Sequence, residues 1–177
     1  QQAIAVGERL KHENIDAIYV TSLQRTVQTA APLATHLGMP TRVEADLREV
    51  CLGEWEGGVL RMKAAAGDPI FLQMQAEERW DAIPGAESWE TLNARITAAL
   101  TRIHQAHANQ KVVAVVHGGA SGHILAHATG ASPFAFNGAD NGSISRIVLH
   151  QDGIKTRSFN DNVHVQSTLH TGSGQLT

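Results

Sequence analysis

Apolar and polar positions alternate along the chain in blocks that predict helices and strands in turn. The clearest block runs from Val112 to Val116, all apolar and mostly β-branched, and it ends at His117-Gly118-Gly119. A continuous apolar run of this length, bounded by glycine, predicts a strand that is buried on both faces. In open sheets of such strands, a ligand binds just past the carboxyl ends. His117, followed by glycines and a helix start, therefore predicts an anion site.

The remaining blocks predict one domain of helices and strands. Helices are expected at 25–37, closed by Gly38, at 59–83 in short pieces, from Ser88 to about Ala108, and at 120–128; strands are expected at 15–20, 41–44, 143–149 and 154–159. Buried strands between helices are typical of an α/β protein whose sheet is covered by helices. Residues 1–165 are expected to form this domain, and the Ser-, Thr- and Gly-rich residues 166–177 a flexible tail.

The first residues have the apolar spacing of a helix that is already under way. Ile4, Val6 and Leu10 share one side of it, and no Ser, Thr, Asp or Asn precedes them to cap the first amides. We therefore expect the sequence to begin inside a longer chain, which leaves an upstream leader segment open.

Composition argues against several kinds of partner. The net charge is −3 and no run of Lys or Arg occurs, so neither nucleic acid nor a membrane surface is expected as a partner. No stretch approaches the roughly 18 apolar residues that a membrane span needs. The single cysteine, Cys51, rules out an internal disulfide and fits a reducing compartment, so a cytoplasmic location is expected.

Several polar side chains carry only weak signals of chemistry. The motif of a nucleophile elbow, G-x-S-x-G, is not matched around Ser121, because His123 occupies the position of the second glycine. His123 and His127 have helical spacing, but no third metal ligand accompanies them, so no metal site is expected. We interpret both, like His104 and His107, as histidines on helix surfaces.

Three other side chains stand where strands end or elements join. Arg25 follows the strand at 15–20 and opens a helix, Glu49 lies in the loop 45–58, and His117 ends its strand. Alone, Arg25 is an ordinary surface arginine and Glu49 an ordinary solvated acid. Together, the three would place two cationic donors and one carboxylic acid around one anion. That set suits phosphoryl transfer, because arginine binds phosphate bidentately and a glutamic acid can protonate the leaving oxygen.

Four segments of the chain occur in a recognisable order. They are Thr21-Ser-Leu-Gln-Arg25-Thr-Val-Gln-Thr-Ala30, Leu47-Arg-Glu49-Val-Cys-Leu-Gly-Glu-Trp-Glu-Gly57, Pro84-Gly-Ala-Glu87-Ser88 and Val115-Val-His117-Gly-Gly119. In register, they resemble the segments of the histidine phosphatases, also called the phosphoglycerate mutase-like superfamily. The resemblance covers about residues 1–165. It implies a three-layer α/β sandwich with a mostly parallel central sheet flanked by helices.

The resemblance also implies a part that this sequence does not contain. The family's Arg-His-Gly signature, whose histidine takes the phosphoryl group, lies on a strand beside the strand of His117. The present sequence begins in the helix that would follow that strand. We expect the strand in an upstream segment, because leaving it out would expose backbone hydrogen-bonding groups and open a hole in the core.

The mechanism that the resemblance implies runs through a phosphohistidine formed on the upstream histidine. Arg25 and His117 hold the phosphate oxygens, the Gly118 amide adds a contact, and Glu49 protonates the leaving group before it activates water. Ser22, in the same segment as Arg25, is a candidate substrate contact. Neither a metal nor another cofactor is needed, because cationic side chains supply the charge.

The resemblance implies an enzyme, and the short segment 58–87 favours one kind. A phosphomonoesterase acting on a small phosphorylated metabolite is expected, since the mutases of the family carry longer insertions there. A phosphoglycerate mutase-type transfer is the alternative, and a non-catalytic domain that binds a phosphoryl ligand is an alternative of another class. The expected partner is a small phosphorylated substrate, and a homodimer stays open.

Overall fold

A parallel three-stranded sheet forms the centre of the fold in the computed structural model, which describes residues 1–166. The strands are β1 (Ala17–Val20), β2 (Thr41–Val43) and β3 (Val112–Val115), in the order β2-β1-β3. Both outer strands run parallel to β1, and Val20 lies opposite Val43 on one side and Val115 on the other. The carboxyl ends of β1 and β3 therefore meet at the same end of the sheet, where His117 follows.

Helices cover both faces of this sheet. They are α1 (Gln2–Leu10), α2 (Gln24–Leu37), α3 (Val59–Ala65), α4 (Pro69–Glu77), α5 (Trp89–Ala106), α6 (Gly118–Thr129) and α7 (Val163–Gln166). Successive residues of β1 point to opposite faces. Ile18 and Val20 pack with α1 and α2, whereas Ala17 and Tyr19 pack with α5 and α6. The predicted α/β arrangement of a sheet between helical layers is confirmed.

Caps and glycines mark helix ends close to where the sequence predicts them. Ser88 accepts a hydrogen bond from the Thr91 amide and begins α5. Gly38 ends α2 with φ at 59°, in the left-handed region that favours glycine. Helix α6 begins at Gly118, two residues before the prediction, with His117 as its N-cap. His117 therefore stands directly at a helix N-terminus.

An antiparallel hairpin, β4 (Ile144–His150) and β5 (Gly153–Asp161), forms a second sheet. Within residues 1–166, β3 pairs only with β1 and β4 only with β5, and the free edges of β3 and β4 line a cavity of about 2230 Å³. The prediction that the β3 segment is buried on both faces is wrong. Its valines are half-buried and Ala114 is exposed, because the strand borders this cavity.

Glu13 connects the two sheets across one end of the cavity. Its carboxylate lies 3.0 Å from Lys111 Nζ, next to β3, and 2.6 Å from Arg146 Nη2 in β4. Hydrogen bonds from Arg146 and Lys111 lower the pKa of Glu13 to about 2, so it stays ionised. These ion pairs fasten the hairpin to the parallel sheet, since the two sheets share no backbone pairing within the described residues.

Two histidines that the sequence analysis places on helix surfaces are buried. His107 is 8% exposed and lies 3.1 Å from the Tyr19 hydroxyl and 2.6 Å from Gln110 Oε1. His123 is 2% exposed, and its Nε2 lies 3.1 Å from Asn93 Oδ1. Both surface predictions are wrong, because neighbouring elements supply polar partners inside the fold.

The end of the chain differs from the prediction in one detail. Helix α7 is not predicted, and its Val165 is fully buried. Residues 167–177, which hold nearly all of the predicted tail, lie outside the described residues. No helix in the described part is long and apolar enough to cross a membrane.

Candidate active site

The residues predicted to bind an anion meet at the carboxyl end of the parallel sheet. His117 caps α6, and Arg25 lies in the first turn of α2, just after β1. Arg25 Nε lies 3.0 Å from His117 Nδ1, although the two residues are 92 positions apart. The parallel pairing of β1 with β3 brings them together, since both follow the strands that it aligns.

A chain of hydrogen bonds fixes the tautomer of His117. Arg25 Nε–H donates to Nδ1, so Nε2 carries the proton and donates to Thr21 Oγ1 at 2.9 Å. Thr21 Oγ1 donates to Thr26 Oγ1 at 3.1 Å, and Thr26 Oγ1 donates to the Leu23 carbonyl at 2.8 Å. Every donor in this chain has an acceptor, so the imidazole ring is held in one orientation.

The positive charge of the anion site comes from Arg25 and not from His117. Burial, followed by the charges of Arg25 and Arg95, lowers the pKa of His117 to about 4, so the ring is neutral near pH 7. Arg25 is exposed, and its terminal nitrogens have no hydrogen-bond partner within residues 1–166. Its guanidinium can therefore offer a fork of donors to an oxyanion.

Glu49 lies at the same helix N-terminus. Its Oε1 accepts hydrogen bonds from the amides of Val50 and Ala120, both at 3.0 Å, and its Oε2 accepts one from the Gly119 amide at 3.2 Å. The first amides of a helix have no partner inside the helix, which explains why a carboxylate fits here. Within residues 1–166, Oε2 receives a single hydrogen bond and keeps a lone pair that can carry a proton.

The two glycines that open α6 have different surroundings. A Cβ at Gly119 would lie 2.7 Å from Glu49 Oε1 and 3.0 Å from Val50 Cγ1, so the carboxylate approaches this closely only because the residue is glycine. A Cβ at Gly118 would meet nothing within 4 Å. The Gly118 amide makes no hydrogen bond to the described part of the chain, which leaves it for an anion.

An arginine that the sequence analysis did not single out holds the Glu49 loop. Arg95 of α5 pairs with Glu87 and donates to three backbone carbonyls, those of Asp46, Arg48 and Glu49. Thr21, which orients His117, was missed in the same way. Neither residue touches the cavity, and both act on a neighbour that lines it.

Four of the five predicted site residues line one cavity. Arg25, Glu49, His117 and Gly118 line it, whereas Ser22 is exposed and does not, so the role of Ser22 stays a prediction. The volume of about 2230 Å³ exceeds the roughly 300–1,000 Å³ of ordinary ligand pockets, because the cavity continues along the edges of β3 and β4. No group of three or more His, Cys, Asp or Glu side chains in residues 1–166 could hold a metal ion.

Taken together, the α/β fold and the helix N-terminus flanked by Arg25, His117 and Glu49 form a candidate site for an anion. The chain belongs to the histidine phosphatase superfamily (branch 1), whose sequence profile matches residues 1–162.

Relatives and solved structures agree with this membership. Phosphoglycerate mutase-like protein 4 of Arabidopsis thaliana is 37% identical over 123 residues, which are 67% of this chain and 53% of that protein. The metal-independent phosphoserine phosphatase of the same plant is 29% identical over 170 residues, 94% of this chain and 71% of that protein. Mycobacterial glucosyl-3-phosphoglycerate phosphatase superposes with a TM-score of 0.79 at 25% identity, over 90% of this chain and 83% of that one. The chain spans about half the length of the first relative.

Proposed function

We propose that this chain carries most of the active site of a phosphomonoesterase that acts on a small phosphorylated metabolite through a phosphohistidine. The convergence of Arg25, His117 and Glu49 at the N-terminus of α6 carries the proposal. A phosphate placed there meets the terminal nitrogens of Arg25, the Gly118 amide and the positive end of the helix. A proton donor, Glu49, then stands beside the same phosphate.

The proposed reaction has two steps. In the first, a histidine nitrogen attacks phosphorus, the bond from phosphorus to the leaving oxygen breaks, and Glu49 gives its proton to that oxygen. In the second, Glu49 takes a proton from water, whose oxygen attacks phosphorus and releases the histidine and inorganic phosphate. Arg25 and the helix N-terminus stabilise the charge on the equatorial oxygens in both steps. No metal or other cofactor takes part.

The attacking histidine is proposed on an upstream Arg-His-Gly strand that enters the cavity between β3 and β4. His117 does not suit this role, because its Nδ1 accepts from Arg25 and its Nε2 is protonated towards Thr21. The position of the cavity supports the proposal. The free edges of β3 and β4 both border it, and an added strand would find backbone partners on either side.

Hydrolysis is favoured over transfer between two substrates. The segment between the Glu49 loop and α5 contains only α3, α4 and a short turn, and two of the relatives described above are named as phosphatases. A mutase-type transfer is the second candidate, since another relative is named phosphoglycerate mutase-like.

Glu49→Gln in the full-length chain tests the proposal. We expect kcat for an alkyl phosphate to fall by about 10²-fold or more, because general acid catalysis contributes about 10² to 10⁴. The rate is measured as release of inorganic phosphate without added metal. Inhibition by vanadate is measured separately. Glu54→Gln is the matched control: Glu54 lies in the same loop, is exposed and does not line the cavity.

The outcomes separate the candidate functions. If Glu49→Gln kept full activity on an alkyl phosphate, Glu49 would not be the proton donor. An intact wild-type chain that releases no phosphate would overturn the phosphatase proposal, and binding of orthophosphate without turnover would then favour the non-catalytic domain. Transfer of the phosphoryl group to a substrate hydroxyl in preference to water would favour the mutase.

A further inference from the structure

Arg95 is a buried cation behind the Glu49 loop. Its side chain is 8% exposed, against 48% for Arg102 about two turns further along α5. Its partner Glu87, in the turn before α5, is 5% exposed, and the two approach to 2.7 Å. Such a buried pair persists only when its remaining hydrogen-bonding groups are satisfied.

Every donor of the Arg95 guanidinium has an acceptor. Nε and one hydrogen of Nη2 donate to the two oxygens of Glu87, at 2.7 and 2.8 Å. The other donors reach carbonyl oxygens of Asp46 at 2.6 Å, Arg48 at 2.9 Å and Glu49 at 3.1 Å. One rigid planar group therefore ties down three carbonyls of the segment that carries Glu49.

Glu87 extends this network to the other side of Glu49. Its Oε2 accepts from the Cys51 amide at 3.3 Å, and its own amide donates to the Cys51 carbonyl at 2.9 Å. Burial alone would raise the pKa of Glu87, but hydrogen bonds from Arg95 and Cys51 bring it below its ordinary value, so Glu87 remains ionised. The pair thus fastens the backbone both before and after Glu49.

A fastened backbone fixes where the Glu49 carboxylate can reach. From this loop the side chain extends to α6 and accepts from the amides of Gly119 and Ala120. Proton transfer needs the donor within hydrogen-bond reach of the leaving oxygen, and a displacement of about 1 Å can cost on the order of 10²-fold in rate.

We propose that the Arg95–Glu87 pair positions Glu49 for proton transfer, an inference that rests on the function proposed above. Arg95 lies behind the loop and touches no reacting atom, so it is a positioning residue that acts through Glu49. Lysine cannot replace it, because an ammonium group has three donors and no planar fork.

Arg95→Lys tests the positioning, with Arg102→Lys as the matched control. Arg102 lies on the same helix and pairs with the side chains of Glu44 and Asp46, but it is exposed and bonds to no carbonyl of the Glu49 loop. In the full-length chain, amide hydrogen exchange followed by NMR reports on the bonds from Gly119 and Ala120 to Glu49. We expect faster exchange of both amides in Arg95→Lys and unchanged exchange in Arg102→Lys.

Kinetics distinguishes positioning from a general loss of structure. p-Nitrophenyl phosphate has a good leaving group that needs little protonation, whereas glycerol phosphate releases a poor one. We expect Arg95→Lys to lower kcat/KM, which reports the first step alone, at least about tenfold for the alkyl ester and about twofold or less for the aryl ester. In a Glu49→Gln background, Arg95→Lys should lower the rate little further, since both changes remove the same proton transfer.

Unchanged exchange of Gly119 and Ala120 in folded Arg95→Lys, or equal losses of kcat/KM on both esters, would overturn the proposal. If Arg95→Lys does not fold, Glu87→Asp takes its place under the same criteria, because it keeps both charges and shortens the reach. If the wild-type chain hydrolyses neither ester, the proposed function is wrong. The exchange measurement then still decides whether the Arg95–Glu87 pair positions Glu49.

Discussion

The two sides of the candidate site are held in different ways. On the acid side, the Glu49 carboxylate bonds to three backbone amides, and its loop is fastened to a buried ion pair. On the anion side, Arg25 and His117 bond to each other, and the hydroxyls of Thr21 and Thr26 continue the chain. Backbone contacts and a fully bonded guanidinium thus hold one side, whereas exchangeable side-chain contacts hold the other.

This difference fits the two chemical tasks that we propose for the site. A proton donor has to keep its distance to the leaving oxygen, and contacts with the backbone keep it. An anion site has to admit and release its ligand, so its contacts must be exchangeable. When a phosphate arrives, Arg25 can exchange its bond to a neutral imidazole for stronger bonds to a charged oxygen. We therefore expect the acid side to be rigid and the anion side to be adjustable.

Acidification should produce the largest difference between the two sides. The pKa of His117 is lowered from 6.5 to about 4, so between these values the unfolded chain binds a proton that the folded chain does not. Stability should therefore fall as the pH drops from about 6.5 to about 4, by up to about 3 kcal/mol for this group. On the acid side, the pKa of Glu87 is lowered, so the stability that this carboxylate contributes is lost only as the pH falls below 4.5, the ordinary pKa of a glutamate.

Urea unfolding at neutral pH and at about pH 4.5 measures this loss. His123, whose burial and neighbouring charges of His127 and Arg95 lower its pKa to about 4, should contribute over the same range. His117→Gln is therefore expected to remove about half of the loss, and His123→Gln the other half. Glu87→Gln should lower stability already at neutral pH, because it leaves the buried Arg95 without its charged partner. Equal wild-type stability at both pH values would contradict a neutral, buried His117.

The anion side is also the side that can be predicted better from the sequence. Arg25, His117 and Gly118 each follow a strand at the start of a helix, and this local pattern is visible in apolar periodicity and glycine positions. Thr21 reaches His117 across 96 positions, and no local pattern indicates that bond. The partners of a side chain depend on which strands pair, and periodicity alone does not give strand order.

One residue that supports the acid side, Arg95, could have been found from the sequence. Arg95 falls on the apolar face of α5, between Leu92 and Ile96, where a charge needs a buried partner. The same reasoning explains the wrong predictions for His107 and His123. Helical spacing tells which residues share a face, but it does not tell which polar groups the next layer brings to that face.

Thr21→Val should weaken the anion side by a smaller amount than acidification does. Valine has nearly the same shape, but it removes the acceptor of His117 Nε2–H and leaves a buried donor unpaired. Such a donor costs about 1–3 kcal/mol, which urea unfolding at neutral pH can measure. Thr21→Ser keeps the hydroxyl and should lose much less. Equal stability of the valine and serine variants would show that this hydrogen bond does not hold the ring.

Gly119→Ala should have the smallest effect of the three, and it tests whether the acid side is rigid. The new Cβ would lie 2.7 Å from Glu49 Oε1, so the carboxylate would have to move away from the α6 amides. We expect kcat/KM for an alkyl phosphate to fall about tenfold, equivalent to about 1.4 kcal/mol. The loss for an aryl phosphate should be smaller, because its leaving group needs little protonation.

Gly118→Ala is the comparison for this variant, because its Cβ would meet nothing within 4 Å. Both substitutions add the same methyl group to the first turn of α6, and alanine favours a helix over glycine in either place. The activity of Gly119→Ala should therefore fall below that of Gly118→Ala. If Gly119→Ala kept the full rate on alkyl phosphates, the Glu49 carboxylate would be free to move without loss, and the acid side would be as adjustable as the anion side.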